Sequence, residues 1–157
     1  MTIIKKLTCK GFKSFAKKTE IPLLNGYNVV IGANGSGKSN ISDALCFVLG
    51  KSSARGLRAE KSANLIYHGG KKGSQAKEAE VSVIFCNEKK VFPVEGDEVE
   101  ITRIVSKKGT SKYLIDGKQH TRQQVLDLLG HARINPDGHN IVLQGDVIRF
   151  TDMKTVE

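Results

Sequence analysis

The feature that most constrains this chain is an eight-residue glycine-rich segment that fits the pattern G-x-x-x-x-G-K-S. Its glycines let the backbone turn so that successive N–H groups point inward, at the positive end of a following helix. The lysine of the pattern reaches phosphate oxygens as a point charge, and the final hydroxyl suits Mg²⁺. We therefore predict a site for a nucleoside triphosphate and Mg²⁺ on Gly32, Ala33, Asn34, Gly35, Ser36, Gly37, Lys38 and Ser39.

The residues on either side of this loop predict a strand before it and a helix after it. Tyr27 and the apolar run Val29–Ile31 indicate a strand that is buried on both faces. From Ile41 to Leu49 apolar residues recur at helical spacing and form one stripe, and Gly50 is well placed to end the helix. Strand, loop and helix in this order are the context that the phosphate-binding pattern requires.

The rest of the chain predicts antiparallel strands and further helices. The predicted strands are Thr2–Cys9 and Lys18–Leu24, which form an opening pair, and Val81–Cys86, Val99–Val105 and Lys112–Ile115, which form an antiparallel appendage. Thr121 and Gln124 have capping-box spacing, so a helix should begin there and end at Gly130. Thr151–Glu157 again looks like a capped helix start.

Composition favours a single soluble domain with polyanionic partners. The 157 residues include 25 Lys and Arg against 16 Asp and Glu, a formal charge of +9 that favours nucleotides or nucleic acid. A merely solvated lysine-rich surface is the alternative. Cys9, Cys46 and Cys86 are odd in number and widely spaced, which predicts buried thiols in a reducing compartment and neither disulfides nor a zinc site. With no signal peptide or membrane span in the sequence, we expect a cytoplasmic protein without a membrane partner.

A self-sufficient phosphate-loop enzyme also needs an acidic residue at the end of an apolar strand, near the magnesium. Asp116 is the nearest candidate, but the pair Asp116-Gly117 is better explained as a hairpin turn. The sequence therefore predicts either a chain that only binds nucleotide or one whose catalytic remainder lies on another polypeptide.

Four segments together resemble the N-terminal half of the head of SMC (structural maintenance of chromosomes) proteins: Gly11–Phe15, Gly32–Asn40, Ser53–Arg58 and Val142–Asp146. The resemblance spans the whole chain. It implies an α/β fold, a P-loop NTPase half-domain of the ABC type with a mixed sheet and an antiparallel β subdomain. Residues 1–150 would form this N-terminal lobe, and residues 151–157 would start a coiled-coil helix.

The resemblance also implies roles for individual residues. Gln144 looks like the glutamine that binds Mg²⁺ and senses the γ-phosphate, and Arg58 looks like an arginine that approaches phosphate. The alternatives are an ordinary polar residue after a strand and a surface arginine. Together with Lys38, these two residues are the catalytic candidates of the chain.

Four further positions are assigned to the nucleotide by the same resemblance. Lys13 and Ser14 resemble contacts near the phosphates and sugar, and Asn40 extends the phosphate loop. Tyr67 lies where a side chain would flank adenine, although a core role is at least as well supported.

As an SMC head half, the chain would bind ATP and Mg²⁺ and hydrolyse ATP poorly alone, because the C-terminal half of the head supplies the remaining catalytic residues. The completed head would dimerise with a second head across two nucleotides, and it would act with DNA and a kleisin-type subunit at the nucleoid in chromosome organisation, segregation and DNA repair.

Three other functions remain open. One is a head of the related repair ATPases, of the RecF, RecN or zinc-hook type. Another is a small self-contained P-loop kinase or GTPase with Asp116 in the metal-binding role. The third is a basic nucleic-acid-binding module that contacts phosphates through Lys71, Lys72, Lys107, Lys108 and Lys112.

Overall fold

A computed structural model of the protein describes residues 3–51, 57–70, 73–136 and 141. Its strands are β1 (Ile4–Lys10), β2 (Thr19–Pro22), β3 (Glu78–Cys86), β4 (Glu98–Ser106), β5 (Ser111–Ile115) and β6 (Lys118–His120). The helices are α1 (Lys38–Val48) and α2 (Arg122–His131), with a short 3₁₀ helix at Ser62–Leu65. The five strands that the sequence predicts outside the phosphate-loop context are present, and β6 is an additional one.

The strands form one six-stranded sheet in the order β2-β1-β3-β4-β5-β6, and each neighbouring pair is antiparallel. Alternate residues of β3 and β4 are buried, as expected for strands with one face on the core. The opening pair and the predicted appendage are parts of this same sheet, because β1 pairs with β3 and aligns Leu7 with Val83 and Cys9 with Val81.

The hairpin between β5 and β6 is made by Asp116 and Gly117, whose φ angles are 48° and 76°. Two central residues with positive φ are typical of a type I′ turn, which matches the twist of the flanking strands. The Asp116 N–H donates to the Glu100 carbonyl at 2.9 Å, and its carboxylate accepts the Glu100 N–H at 2.9 Å. The prediction that Asp116 serves the turn is therefore confirmed.

Helix α1 packs on the sheet through buried apolar residues that include Phe47 and Val48. It ends as predicted at Gly50, which has a φ of 99°. The Gly50 N–H donates to the Phe47 carbonyl at 3.1 Å, and the Lys51 N–H donates to the Cys46 carbonyl at 3.0 Å. These two bonds form a Schellman motif, which only a residue tolerant of the left-handed conformation completes without strain.

A buried arginine fixes the C-terminal end of α1 to the sheet. Arg103 on β4 is 5% exposed, and its guanidinium lies 4.2 Å from the centre of the Phe47 ring. It donates to the carbonyl oxygens of Phe47 at 2.9 Å and Lys51 at 2.8 Å. Burial lowers the pKa of Arg103, but a guanidinium stays protonated. The charge therefore lies where the negative end of the helix dipole favours it.

Helix α2 begins with the predicted capping box. The Thr121 hydroxyl accepts the Gln124 N–H at 3.2 Å, and the Gln124 side chain accepts the Thr121 N–H at 2.8 Å. The helix ends at His131, one residue beyond the predicted Gly130. Arg122 Nε donates to the Gly50 carbonyl at 2.8 Å, so the start of α2 is tied to the end of α1.

The strand predicted at Tyr27 and Val29–Ile31 is wrong. This stretch has no regular structure, and its side chains are exposed, with Ile31 at 90%. A strand buried on both faces needs neighbours that pair with it and cover it. In the described part of the chain every strand belongs to the antiparallel sheet, and residues 27–31 pair with none of them.

The prediction that all three cysteines are buried is confirmed for only two of them. Cys9 and Cys46 are buried, whereas Cys86 is half-buried at the end of β3. Burial raises the pKa of Cys9 to about 12, so this thiol stays neutral at physiological pH. Within the described ranges, no helix combines the length and apolarity needed to cross a bilayer.

Several sequence predictions lie outside the described residues. They concern Gln144 with its segment Val142–Asp146, the helix start at Thr151–Glu157, residues 53–56 of the arginine segment, and Lys71 and Lys72.

Candidate nucleotide site

The glycine-rich loop leads directly into α1, whose first residue is Lys38. Gly37 is the N-cap residue, with φ 95° and ψ 8°, and among the described residues no side chain caps the helix. The N–H groups of the first turn of a helix have no intrahelical partner, and together with the helix dipole they favour an anion. This end of α1 is therefore built to receive a phosphate.

Two glycines of the loop lie close to serine side chains. A Cβ on Gly32 would lie 2.7 Å from Ser36 Oγ, and a Cβ on Gly37 would lie 3.0 Å from Ser14 Oγ. Gly35 and Gly37 also have φ angles of 79° and 95°, a region that favours glycine. The loop is closed by the Ser36 N–H, which donates to the Ala33 carbonyl at 3.2 Å.

The ammonium group of Lys38 lies across this loop. Lys38 Nζ donates to the carbonyl oxygens of Gly32 at 2.6 Å and Ala33 at 2.7 Å. The side chain thus folds back from the first turn of α1 over the loop, where its charge is available to phosphate oxygens. Ser39, the predicted Mg²⁺ ligand, follows on the same turn and is exposed, as is Asn34 within the loop.

The structure also brings the segment Gly11–Phe15 to the loop, as the resemblance implied. Asn40 Nδ2 donates to Ser14 Oγ at 2.9 Å, which joins this segment to the first turn of α1. The segment is held from behind because Phe12 is buried against Phe47, with ring centres 5.2 Å apart. Lys13, Ser14 and Asn40 are therefore gathered around the phosphate loop.

Sequence reasoning missed one residue of the site, Asp43. Its carboxylate is buried on α1 and is ion-paired with both Lys13 and Arg58. Arg58 Nη2 lies 2.5 Å from Asp43 Oδ2 and Arg58 Nε lies 3.1 Å from it. The available signal was a lone acidic residue among the apolar positions of α1, one turn beyond Ser39 and Asn40.

Arg58 reaches the site from a different part of the chain, and its side chain is partly exposed. Arg58 Nη2 also lies 3.5 Å from Asn40 Oδ1, at the outer limit of a hydrogen bond. Lys13 Nζ donates to the carbonyl of Leu57, the residue before Arg58, at 2.5 Å. Both predicted cations therefore lie beside the first two turns of α1.

Tyr67 is joined to a neighbouring segment and is half-buried. Its N–H donates to the Gly11 carbonyl at 2.7 Å, and its carbonyl accepts the Ala76 N–H at 3.0 Å. The hydroxyl lies beside Gly70, where an added Cβ would be 3.3 Å away. These contacts belong to the framework behind Gly11–Phe15, so a contact with adenine stays a prediction.

The assembled groups can bind an anion. Lys13, Lys38 and Arg58 supply three positive charges against the single carboxylate of Asp43, next to a helix N-terminus. The carboxylate of Asp43 is already engaged by two cations, and Asp116 serves a hairpin turn. Among the described residues, no group of three His, Cys, Asp or Glu side chains is arranged to hold a metal ion.

Comparison with known proteins identifies the family. The model for the RecF/RecN/SMC N terminal domain matches residues 3–138. Over 158 aligned residues the chain is 49% identical to the chromosome partition protein Smc of Pyrococcus furiosus, an alignment that covers 100% of this chain and 13% of that protein. The chain belongs to the SMC family. It spans about 13% of the length of this SMC relative.

Solved SMC heads share the fold closely. One chain, from work on ATP-driven dimerization and DNA-stimulated activation of SMC ATPases, is 49% identical with a TM-score of 0.91, over 96% of this chain and 91% of that one. The Pyrococcus furiosus Smc head with an extended coiled coil, bound to the C-terminal domain of ScpA, is 50% identical with a TM-score of 0.94, over 98% of this chain and 39% of that one. The predicted SMC resemblance and the ABC-type half-domain fold are confirmed.

Proposed function

We propose that this chain is the ATP- and Mg²⁺-binding half of an SMC ATPase head. The observation that carries the proposal is the phosphate loop itself, with its open helix N-terminus, its closely packed glycines at 32 and 37, and the Lys38 ammonium across it. Its similarity to SMC heads studied for ATP-driven dimerization supports ATP as the nucleotide.

Different residues of the chain have different roles at the triphosphate. Lys38 and the loop N–H groups stabilise negative charge on the phosphoryl group that is transferred. Ser39 and Gln144 would hold Mg²⁺, which would neutralise phosphate charge. Arg58 approaches the phosphates, where its guanidinium adds to the stabilisation. Lys13, Ser14 and Asn40 fix the segment beside the loop, and Tyr67 flanks the base.

The chain needs the C-terminal half of the head for hydrolysis. In the described residues the carboxylates of Asp43 and Asp116 both have structural partners. We therefore assign the acidic residue near Mg²⁺ and a glutamate that orients the attacking water to the other half. The exposed apolar side chains of Tyr27 and Val29–Ile31 fit a surface that this half covers, since apolar area of this kind is stabilised by burial. We place the lobe at residues 1–150 and the start of a coiled-coil helix at residues 151–157.

The completed head engages a second SMC head across two nucleotides, and hydrolysis separates them. This cycle would serve chromosome organisation, segregation and DNA repair in the cytoplasm, at the nucleoid. A kleisin-type subunit is a further partner, as the relative bound to ScpA suggests. The excess of Lys and Arg over Asp and Glu in the chain favours contacts with DNA phosphates, which are independent of the base sequence.

Two alternatives are less well supported. A self-contained kinase or GTPase would use Asp116 for metal binding, but both hydrogen-bonding groups of Asp116 noted above engage Glu100. A repair-type head shares the family model, whereas the relative with 49% identity is a chromosome partition protein.

The test is the affinity of the chain for a fluorescent ATP analogue with Mg²⁺, compared between wild type and Lys38→Ala. We expect binding in the wild type and at least a tenfold loss in the variant, because about 1.4 kcal/mol of charge–phosphate interaction is enough for that factor. Lys10→Ala is the matched control, since Lys10 is an exposed lysine at the end of β1. Equal affinity of wild type and Lys38→Ala would reject the proposed site.

A further inference from the structure

Two residues with a strained backbone conformation both form ion pairs with the carboxylate of Asp43. Lys13 and Arg58 are among the described non-glycine residues with positive φ, at 46° and 54°. Such a conformation costs free energy in a residue with a side chain and persists where the surrounding contacts hold it. Both side chains end on Asp43, so this carboxylate is the contact that the two segments have in common.

The three groups form a clamp that is buried on one side and open on the other. The side chain of Asp43 is 3% exposed, whereas that of Arg58 is 45% exposed. Two donors of the guanidinium, Nε and Nη2, are turned to the carboxylate. Lys13 closes the clamp from behind, because its ammonium bonds both Asp43 and the carbonyl of Leu57.

The clamp leaves positive charge beside the phosphate loop. One carboxylate is paired with two cations, which leaves one positive charge in excess. Arg58 Nη2 also approaches Asn40, the third residue of α1, so the excess charge lies at the turn that carries Ser39. An arginine loses rotamer entropy when it is ordered. Because Asp43 already orders the guanidinium, part of this entropy is lost before the nucleotide binds.

We propose that Asp43, clamped by Lys13, is a positioning residue that holds the Arg58 guanidinium ready for the triphosphate. The proposal rests on the proposed function, since it requires a nucleotide at Gly32–Ser39. A positioning role and a purely electrostatic role of Asp43 predict opposite changes in affinity when the carboxylate is removed. A carboxylate that only added negative charge would repel the triphosphate, and its removal would tighten binding. If the carboxylate positions Arg58, its removal weakens binding of the triphosphate.

The experiment is a double-mutant cycle on the affinity for the fluorescent ATP analogue with Mg²⁺. We expect Asp43→Asn to weaken binding about tenfold, which corresponds to ~1.4 kcal/mol. In the Arg58→Ala background the same substitution should change the affinity by no more than about twofold, because the group that Asp43 positions is absent. Asp97→Asn is the matched control, since Asp97 is an exposed carboxylate paired with Lys90.

Asp43→Glu provides a second test, because it keeps the charge and moves the carboxylate by one methylene. The positioning role predicts an affinity between those of wild type and Asp43→Asn, whereas charge alone predicts the wild-type affinity. Urea unfolding of each variant verifies that the chain is folded under the binding conditions. If Asp43→Asn is unfolded, the folded Asp43→Glu variant and its Arg58→Ala double variant decide the question.

The outcomes separate the two proposals. If wild type and Lys38→Ala bind equally, the nucleotide site itself is wrong. If Lys38→Ala loses binding but Asp43→Asn binds as tightly as wild type or more tightly, only the positioning role is overturned. An equal loss from Asp43→Asn with and without Arg58 also overturns it, because Asp43 would then act independently of the guanidinium.

Discussion

At the scale of single residues, the phosphate loop contains a glycine where a side chain would be both strained and crowded. Gly37 combines a φ of 95° with a Cβ position 3.0 Å from Ser14 Oγ. Gly26 has a similar φ of 92°, but an added Cβ there meets nothing within 4 Å. The two glycines therefore share the backbone requirement, and only Gly37 has a steric one within the nucleotide site.

This contrast leads to a prediction for Gly37→Ala. We expect at least a tenfold weaker affinity for the ATP analogue, because the loop must move away from Ser14 and its N–H groups lose their inward orientation. We also expect a loss of about 1 kcal/mol in the free energy of unfolding. The measurements are analogue titration and urea unfolding.

Gly26→Ala is the control for Gly37→Ala. It should lower the free energy of unfolding by a similar amount and leave the affinity unchanged. Wild-type affinity in Gly37→Ala would show that the geometry of this glycine does not matter to the site.

Individual residues also show which features of the site could be predicted from the sequence and which could not. The loop, Lys38 and the turn at Asp116-Gly117 were predictable, because each is specified by neighbours within a few residues. Asp43 was not, because its partners Lys13 and Arg58 are 30 and 15 residues away. A pairwise contact of this kind leaves no periodic signal in the chain.

At the scale of elements, local rules account for the helices and hairpins. The capping box of α2 and the end of α1 at Gly50 follow from side-chain and backbone hydrogen bonds over three to five residues. The pairing of β1 with β3 joins residues that are 70 to 81 positions apart, from Lys10 with Glu80 to Ile4 with Phe85, so the strands were predictable while their single sheet was not. The stretch at Tyr27 and Val29–Ile31 has strand-like composition, but a strand also requires a partner.

Arg103 carries a prediction at this scale, because it fixes α1 to β4. We expect Arg103→Met to lower the free energy of unfolding by about 3 kcal/mol. The change removes charge-assisted bonds to two carbonyls at the end of α1, so the Phe47 carbonyl keeps only the Gly50 N–H and the Lys51 carbonyl loses its guanidinium donor. Urea unfolding followed by circular dichroism measures the loss.

Lys112→Met is the control for Arg103→Met, since Lys112 is an exposed residue on the neighbouring strand β5. We expect it to change the free energy of unfolding by less than about 0.5 kcal/mol. If Arg103→Met were as stable as Lys112→Met, the arginine would not be the anchor of α1.

At the scale of the whole molecule, the chain presents a nucleotide site without a complete catalytic set in its described residues. The loop and its cations lie at one end of α1, while its other end is fixed by Arg103 and Arg122. Exposed apolar residues immediately precede the loop. This arrangement fits a half that binds ATP and is completed by a second half docked beside the phosphate loop.

The most direct test of this account is Mg²⁺-dependent ATP turnover by the chain alone, by a candidate C-terminal half alone, and by their mixture, each with wild type and Lys38→Ala. The account predicts turnover only in the mixture and its loss with Lys38→Ala. Turnover by this chain alone at the rate of the mixture would contradict it, and it would show that residues 1–157 contain a complete enzyme.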